Sequence, residues 1–243
     1  MKFTKKQTAA YGLGAIGKDM VYALSSSFVM YYYQDILGID PAFVGFILML
    51  ARVFDAVNDP FMGVVVAKTR SKWGKFRPWI LSGTVLNAFV LYALFAAPAN
   101  LKGSGLNLYF AVIYILWGMT YTMMDIPYWS LIPAVTSEPS ERETLSVVGR
   151  TCAGVGNALI TVFAMRSVQL IGGGITKANE YSGFKTVSLI VAVVFVLAEA
   201  ILFFAIKEPS HEKDDNTKSA TIGEMFKGKV FRASNTIWFS NIF

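Results

Sequence analysis

Charged residues, cysteine and histidine are all scarce in this sequence of 243 residues. Asp, Glu, Lys and Arg make up 16% of the chain, whereas hydrophobic residues make up 54%. A soluble domain normally has about 25% charged residues, so this chain has too little charge to cover a surface that faces water on all sides. The single Cys152 excludes an internal disulfide and a multi-cysteine metal site. His211, the only histidine, lies in a polar stretch, and we interpret it as a solvated loop residue.

Long apolar segments are abundant, and six of them can each cross the hydrocarbon core of a bilayer, which takes about 20 helical residues. These segments are 7–34, 41–66, 78–98, 106–133, 145–170 and 186–206. The sequence therefore predicts an all-α membrane protein with a six-helix bundle over residues 1–206. We expect the polar stretch 207–235 to be a cytoplasmic loop. The apolar residues 236–243 are interpreted as the start of a seventh helix that the chain end cuts short.

Basic residues are concentrated on alternate connections between the apolar segments. The net charge is +6, and fifteen Lys and Arg residues lie on the side of the N-terminus against four on the opposite side. By the positive-inside rule this bias predicts a cytoplasmic N-terminus. It also accounts for the positive charge without a nucleic-acid partner. We therefore predict a multi-pass protein of the plasma (cytoplasmic) membrane whose surroundings are the lipid bilayer.

Two carboxylates lie one helical turn apart within the second segment. Asp55 and Asp59 share a helix face, and Asp55 lies about 21 Å into its span at about 1.5 Å per residue. At that depth the two groups repel each other unless a cation or a proton sits between them. Oxygen ligands of this kind, with Asn58 beside them, suit Na⁺, Li⁺ or H⁺ as a transported ion rather than a resident cofactor. The alternative is a static network that pairs the two carboxylates with Arg52 or Arg150.

The fourth segment carries an aromatic and acidic face. Tyr121, Asp125 and Trp129 recur at i, i+4 and i+8 on one side of the predicted helix. A sugar stacks its apolar face on an aromatic ring and donates its hydroxyl protons to carboxylates, so this face favours a sugar site. Other ionisable residues of the spans complete such a pocket: Lys18, Asp19 and Arg150. The alternative for Tyr128 and Trp129 is an aromatic belt at the membrane interface.

The pattern Gly12-x-Gly14-x-x-Gly17 matches a dinucleotide-binding fingerprint in spacing alone. No predicted strand precedes it and it lies in an apolar helix, so it predicts close helix packing instead. The spans contain no histidine, metal cluster or nucleophile–base pair. An enzyme is therefore not predicted.

Four motifs in order carry a family resemblance. They are Gly-Lys-Asp at 17–19, Ala-Arg-Val-Phe-Asp-Ala-Val-Asn-Asp-Pro at 51–60, Thr-Arg-Ser-Lys-Trp-Gly-Lys-Phe-Arg-Pro-Trp at 69–79, and Tyr-Ile-Leu-Trp-Gly-Met-Thr-Tyr-Thr-Met-Met-Asp-Ile-Pro-Tyr-Trp-Ser-Leu at 114–131. Together they resemble the glycoside–pentoside–hexuronide:cation symporters, and the fourth is especially similar to the melibiose carriers among them. The resemblance implies a major-facilitator fold of twelve helices in two six-helix bundles, with alternating access to a central site.

The resemblance also assigns residues. It implies a cation site at Asp55, Asn58, Asp59 and Thr122, and a galactoside site at Lys18, Asp19, Tyr121, Asp125, Trp129 and Arg150. The implied activity is Na⁺- or H⁺-coupled import of a galactoside or related glycoside. The chain corresponds to the N-terminal half, so the missing C-terminal six-helix half is an implied partner. The alternative hypothesis is a truncated, non-transporting product of a disrupted transporter gene.

Overall fold

The computed structural model describes residues 4–208, and these residues form six long α-helices without a strand. The helices are α1 (Lys5–Tyr31), α2 (Pro41–Lys68), α3 (Arg77–Phe95), α4 (Ser104–Val135), α5 (Pro139–Gly172) and α6 (Lys177–Ala205), and a π-helical turn at Tyr32–Ile36 extends α1. Among the described residues, five helices, α2 to α6, are long and apolar enough to cross a membrane. The predicted all-α membrane fold is confirmed. Nearly all of the predicted loop 207–235 and the whole of the predicted helix start 236–243 lie outside the described residues.

Several helices extend beyond the apolar segments that predicted them. α5 begins at Pro139, six residues before the apolar segment 145–170, and α6 begins at Lys177, nine residues before the segment 186–206. Pro139 occupies the first turn of α5, where its missing N–H costs no hydrogen bond. The Thr176 side chain caps α6 by accepting a hydrogen bond from the backbone N–H of Asn179. Hydropathy marks the part of a helix that is apolar, whereas caps mark where the helix begins.

Successive helices run in opposite directions, so that the start of one helix and the end of the next lie at the same end of the bundle. At one end of the bundle, the Gln7 side chain near the start of α1 donates to the Ala205 carbonyl at the end of α6 (3.5 Å). At the other end, the Tyr181 hydroxyl near the start of α6 donates to the Ala97 carbonyl just after α3 (2.6 Å). These contacts place the start of α1 and the end of α6 on the same side of the bundle.

Glycines let α1 approach its neighbours α5 and α6 closely. A Cβ atom on Gly12 would lie 2.8 Å from the sulfur of Cys152 on α5, and one on Gly17 would lie 2.9 Å from the Cβ of Ala198 on α6. On α5, Gly156 also faces α1, and a Cβ there would fall on the carbonyl oxygen of Ile16. The close packing predicted from the glycine pattern of α1 is confirmed.

One end of the bundle carries a contact that we call the α3–α6 clasp, formed by Glu208, Arg77 and Phe203. The Glu208 carboxylate accepts hydrogen bonds from the backbone N–H groups of Lys75 (2.6 Å), Phe76 (2.8 Å) and Arg77 (2.8 Å). The N–H groups at the start of a helix have no partner within the helix, and the helix dipole also favours an anion there. The Arg77 guanidinium donates to the Phe203 carbonyl and lies 4.2 Å from the centre of its ring. The clasp therefore joins the beginning of α3 to the end of α6.

Candidate functional site

A buried ammonium group joins α1 to α4. Lys18 is 3% exposed, and its Nζ lies 2.9 Å from an Asp19 carboxylate oxygen and 2.7 Å from an Asp125 carboxylate oxygen. Burial of a charge is costly unless the charge is paired, and the two carboxylates provide that pairing. Asp19 and Asp125 themselves are 19% and 29% exposed, so their remaining oxygen positions are open to a polar ligand.

Aromatic rings surround the same ammonium group. The Lys18 Nζ lies 5.1 Å from the ring centre of Trp129, 5.3 Å from that of Tyr128 and 5.8 Å from that of Tyr121. The Trp129 indole N–H donates to Asp125 (3.2 Å), since the two residues are one turn apart on α4. These contacts hold an aromatic surface next to two carboxylates.

The guanidinium of Arg150 on α5 lies 4.5 Å from the centre of the Trp129 ring. Through this contact all six residues predicted for the sugar site lie in one connected group, which we call the Lys18 cluster: Lys18, Asp19, Tyr121, Asp125, Trp129 and Arg150. Its parts are those that a sugar needs, namely an aromatic face, hydroxyl acceptors and cationic donors.

Tyr128 does not fit the interpretation of an aromatic belt at the membrane interface. It is fully buried, its hydroxyl donates to the Tyr11 carbonyl (2.7 Å), and the Tyr11 hydroxyl donates back to the Tyr128 carbonyl (3.3 Å). The two rings stack with their centres 4.6 Å apart. This reciprocal pair fixes the register between α1 and α4 beside the Lys18 cluster.

The acidic residues of α2 face α4. The Thr122 hydroxyl donates to an Asp59 carboxylate oxygen (3.1 Å), and Asp59 interacts electrostatically with Asp55 and with Asp125. A Cβ on Gly118 of α4 would lie 3.1 Å from an Asp55 carboxylate oxygen, so that helix leaves room for the carboxylate. Three oxygen-bearing side chains from two helices therefore lie in one region.

Two further residues of α2, Asn58 and Arg52, lie close to these carboxylates in the sequence. Asn58 is 8% exposed, and its amide nitrogen has no hydrogen-bond partner among residues 4–208. The structure thus buries Asn58 without bonding its NH₂ group to either carboxylate. Arg52 lies 3.7 Å from Asp55 and is 58% exposed. The pairing of Asp55 with Arg52 that the static-network alternative requires is present. Its N–O distance is long for an ion pair, and the Arg52 side chain is mostly exposed.

α4 contributes to both groups of residues. Thr122 bonds Asp59 of α2, while its neighbour Tyr121 accepts a long hydrogen bond from Lys18 of α1 (3.5 Å). On α4, the residue that contacts Lys18 is therefore the direct neighbour of the residue that contacts Asp59. A rotation or shift of α4 changes the surroundings of both.

Sequence reasoning did not assign two buried acids of α6. Glu180 is 4% exposed and Glu199 is fully buried. Glu199 is the only charged residue of the apolar segment 186–206, and this was the signal that could have singled it out, because ionisable groups in spans are costly.

A bundle of membrane-length helices with paired charges and aromatic rings in its interior defines a multi-pass membrane protein. The sequence from residue 10 to residue 243 matches the family described as MFS/sugar transport protein, and the chain belongs to this family.

Individual relatives agree with the family assignment. The chain is 36% identical to the inner membrane symporter YicJ of Escherichia coli strain K12, over 84% of this chain and 43% of that protein. It is 32% identical to the isoprimeverose transporter of Lactiplantibacillus pentosus, over 82% of this chain and 41% of that protein. It is 26% identical to a lactose permease of Lactobacillus helveticus, over 98% of this chain and 40% of that protein. The chain thus spans about two fifths of the length of these relatives.

Proposed function

We propose that this chain forms the N-terminal half of a cation-coupled symporter that imports a galactoside or a related glycoside by alternating access. The observation that carries the proposal is the Lys18 cluster, which presents acidic acceptors and an aromatic ring side by side within a membrane bundle. The names of the relatives support a glycoside as substrate, since they include transporters of isoprimeverose, lactose and raffinose.

The Lys18 cluster is proposed to bind the sugar. Asp19 and Asp125 accept hydrogen bonds from sugar hydroxyls, Trp129 stacks on the apolar face of the ring, and Arg150 donates to hydroxyl oxygens. Lys18 holds the two carboxylates in place through its contacts with both. The second wall of the sugar site belongs to the C-terminal six-helix half, which completes the transporter.

Asp55, Asp59 and Thr122 are proposed to bind the coupling cation, which is Na⁺, Li⁺ or H⁺, and Asn58 adjusts the site from its buried position. The proximity of Asp59 to Asp125 supports coupling, because neutralising Asp59 removes repulsion from the acidic side of the sugar site. Cation binding then raises the affinity for sugar, and by reciprocity sugar raises the affinity for the cation.

The proposal is tested by sugar uptake into proteoliposomes that contain the full-length protein, with and without Na⁺. We expect Na⁺ or a proton gradient to stimulate galactoside uptake, and Asp55→Cys to abolish that stimulation because it removes one of the two carboxylates. Asp35→Cys is the matched control, since Asp35 is an exposed acid at the end of the first helix. Unchanged cation-stimulated uptake in Asp55→Cys would show that Asp55 does not couple the cation.

A further inference from the structure

A carboxyl group is sealed inside the bundle on α6. Glu199 is 0% exposed, and neither of its carboxyl oxygens has a hydrogen-bond partner among the described residues. Its surroundings are aromatic and aliphatic: a Cβ on Gly14 would lie 3.4 Å from a Glu199 oxygen, 3.3 Å from the Tyr128 ring and 2.8 Å from a Leu202 methyl group. Glycine at position 14 leaves the space in which this carboxyl group lies.

The charged groups that act on Glu199 offer it no spare positive charge. Those with an electrostatic effect on it are Lys18, Asp19 and Asp125, and the phenols of Tyr11 and Tyr128 also interact with it. Lys18 is paired with both aspartates, and Arg150 supplies a second positive charge to the Lys18 cluster. An ionised Glu199 would add a negative charge, and within residues 4–208 no cation lies at salt-bridge distance from it.

A second glutamate on the same helix provides the contrast. Glu180 is also buried, at 4% exposure, but its carboxylate accepts hydrogen bonds from the Tyr31 hydroxyl (2.6 Å) and the Gln169 side chain (3.2 Å). A buried carboxylate is tolerated when hydrogen bonds stabilise its charge and is very costly when none does. The two glutamates therefore lie in opposite environments.

We propose that Glu199 is a proton-binding site within the bundle, separate from Asp55 and Asp59, and that it holds its proton in the conformation described. The proton removes a charge that would otherwise compete with Asp19 and Asp125 for Lys18. It thereby keeps the ammonium group on the two carboxylates of the Lys18 cluster. This inference goes beyond the proposed transport function, because the proton of Glu199 is not the coupling cation.

Infrared spectroscopy of the purified full-length protein in detergent at neutral pH tests the proposal. We expect the wild-type protein to show the carbonyl stretch of a protonated carboxylic acid, and both Glu199→Gln and Glu199→Met to lose the part of that band that belongs to Glu199. Glu180→Gln is the matched control on the same helix and keeps the band. The measurement needs neither sugar nor a transported cation, so its outcome is independent of whether transport occurs as proposed.

The two substitutions at position 199 guard against loss of folding. Glutamine keeps the size of a neutral glutamic acid, and methionine fills the same space without a polar group, so at least one of the two variants is expected to fold. An unchanged carboxylic acid band in both Glu199 variants overturns the proposal, and so does loss of the band in Glu180→Gln alone. A cooperative thermal unfolding transition of each variant shows that it is folded before its band is compared with that of the wild type.

Discussion

Lys18 determines the electrostatics of the candidate sugar site at the scale of single residues. Its ammonium group contacts one carboxylate on its own helix and one on α4, at 2.9 and 2.7 Å. A buried pair of this kind adds little net stability against an apolar alternative, but the loss of one partner leaves uncompensated charge. The main role of Lys18 is therefore to hold two acidic side chains close together at the candidate sugar site.

We predict that Lys18→Met destabilises the protein because it leaves Asp19 and Asp125 facing each other without a cation. The expected loss is about 2–3 kcal/mol, at the low end for a buried pair because water partly screens the two aspartates. Thermal unfolding in detergent measures it, with the exposed Lys72→Met as control. The double variant Lys18→Met/Asp125→Asn should recover part of the loss. Additive losses in the double variant would contradict a direct pairing between Lys18 and Asp125.

At the scale of elements, helices pack closely where a glycine lies between their backbones, but not every glycine of the bundle has this role. α5 provides both cases two residues apart. Gly156 faces the backbone of α1, whereas Gly154 has no atom near its hypothetical Cβ and is exposed. Replacing each of these two glycines by alanine therefore distinguishes the effect of helix packing on stability from the effect of helix propensity.

We predict that Gly156→Ala lowers the free energy of unfolding by about 1–3 kcal/mol, because the added methyl group forces α1 and α5 apart. Gly154→Ala should leave stability unchanged or raise it by up to about 1 kcal/mol, since alanine is the better helix former. Unfolding temperatures of the two variants, measured side by side in detergent, give the answer. Equal effects at the two positions would show that the α1–α5 contact is looser than described.

The elements also show how far the sequence predicts this structure. Apolar length predicted the helices, and i, i+4 spacing predicted that Tyr121, Asp125 and Trp129 share a face. Neither property reports how a helix is rotated against its neighbours. The sequence analysis placed Lys18 and Asp125 in one predicted pocket. Their direct contact and the burial of Glu199 depend on that rotation, so the sequence did not show either of them.

At the scale of the whole molecule, the alternation of the helices and the distribution of basic residues make one prediction about orientation. The α2–α3 connection, which contains Lys72, lies at the same end as the last residues of α6 through the α3–α6 clasp. The α3–α4 connection, which contains Lys102, lies at the opposite end. The positive-inside rule assigns the first of these ends to the cytoplasm.

We predict that a membrane-impermeant maleimide labels Lys102→Cys in intact cells and labels Lys72→Cys only after the membrane is permeabilised. Both positions are exposed in the structure, so accessibility depends on the side of the membrane alone. Cys152→Ala, in a background free of other cysteines, removes unwanted labelling. The reverse pattern would place the N-terminus outside the cell.

The α3–α6 clasp has a mechanical consequence for the bundle. Three backbone hydrogen bonds and a stacked guanidinium tie the tips of α3 and α6 together, so neither tip can bend away while the other stays in place. Movement at this end of the bundle therefore has to carry both tips together. A force on one tip is passed to the neighbouring helix instead of fraying a single helix end.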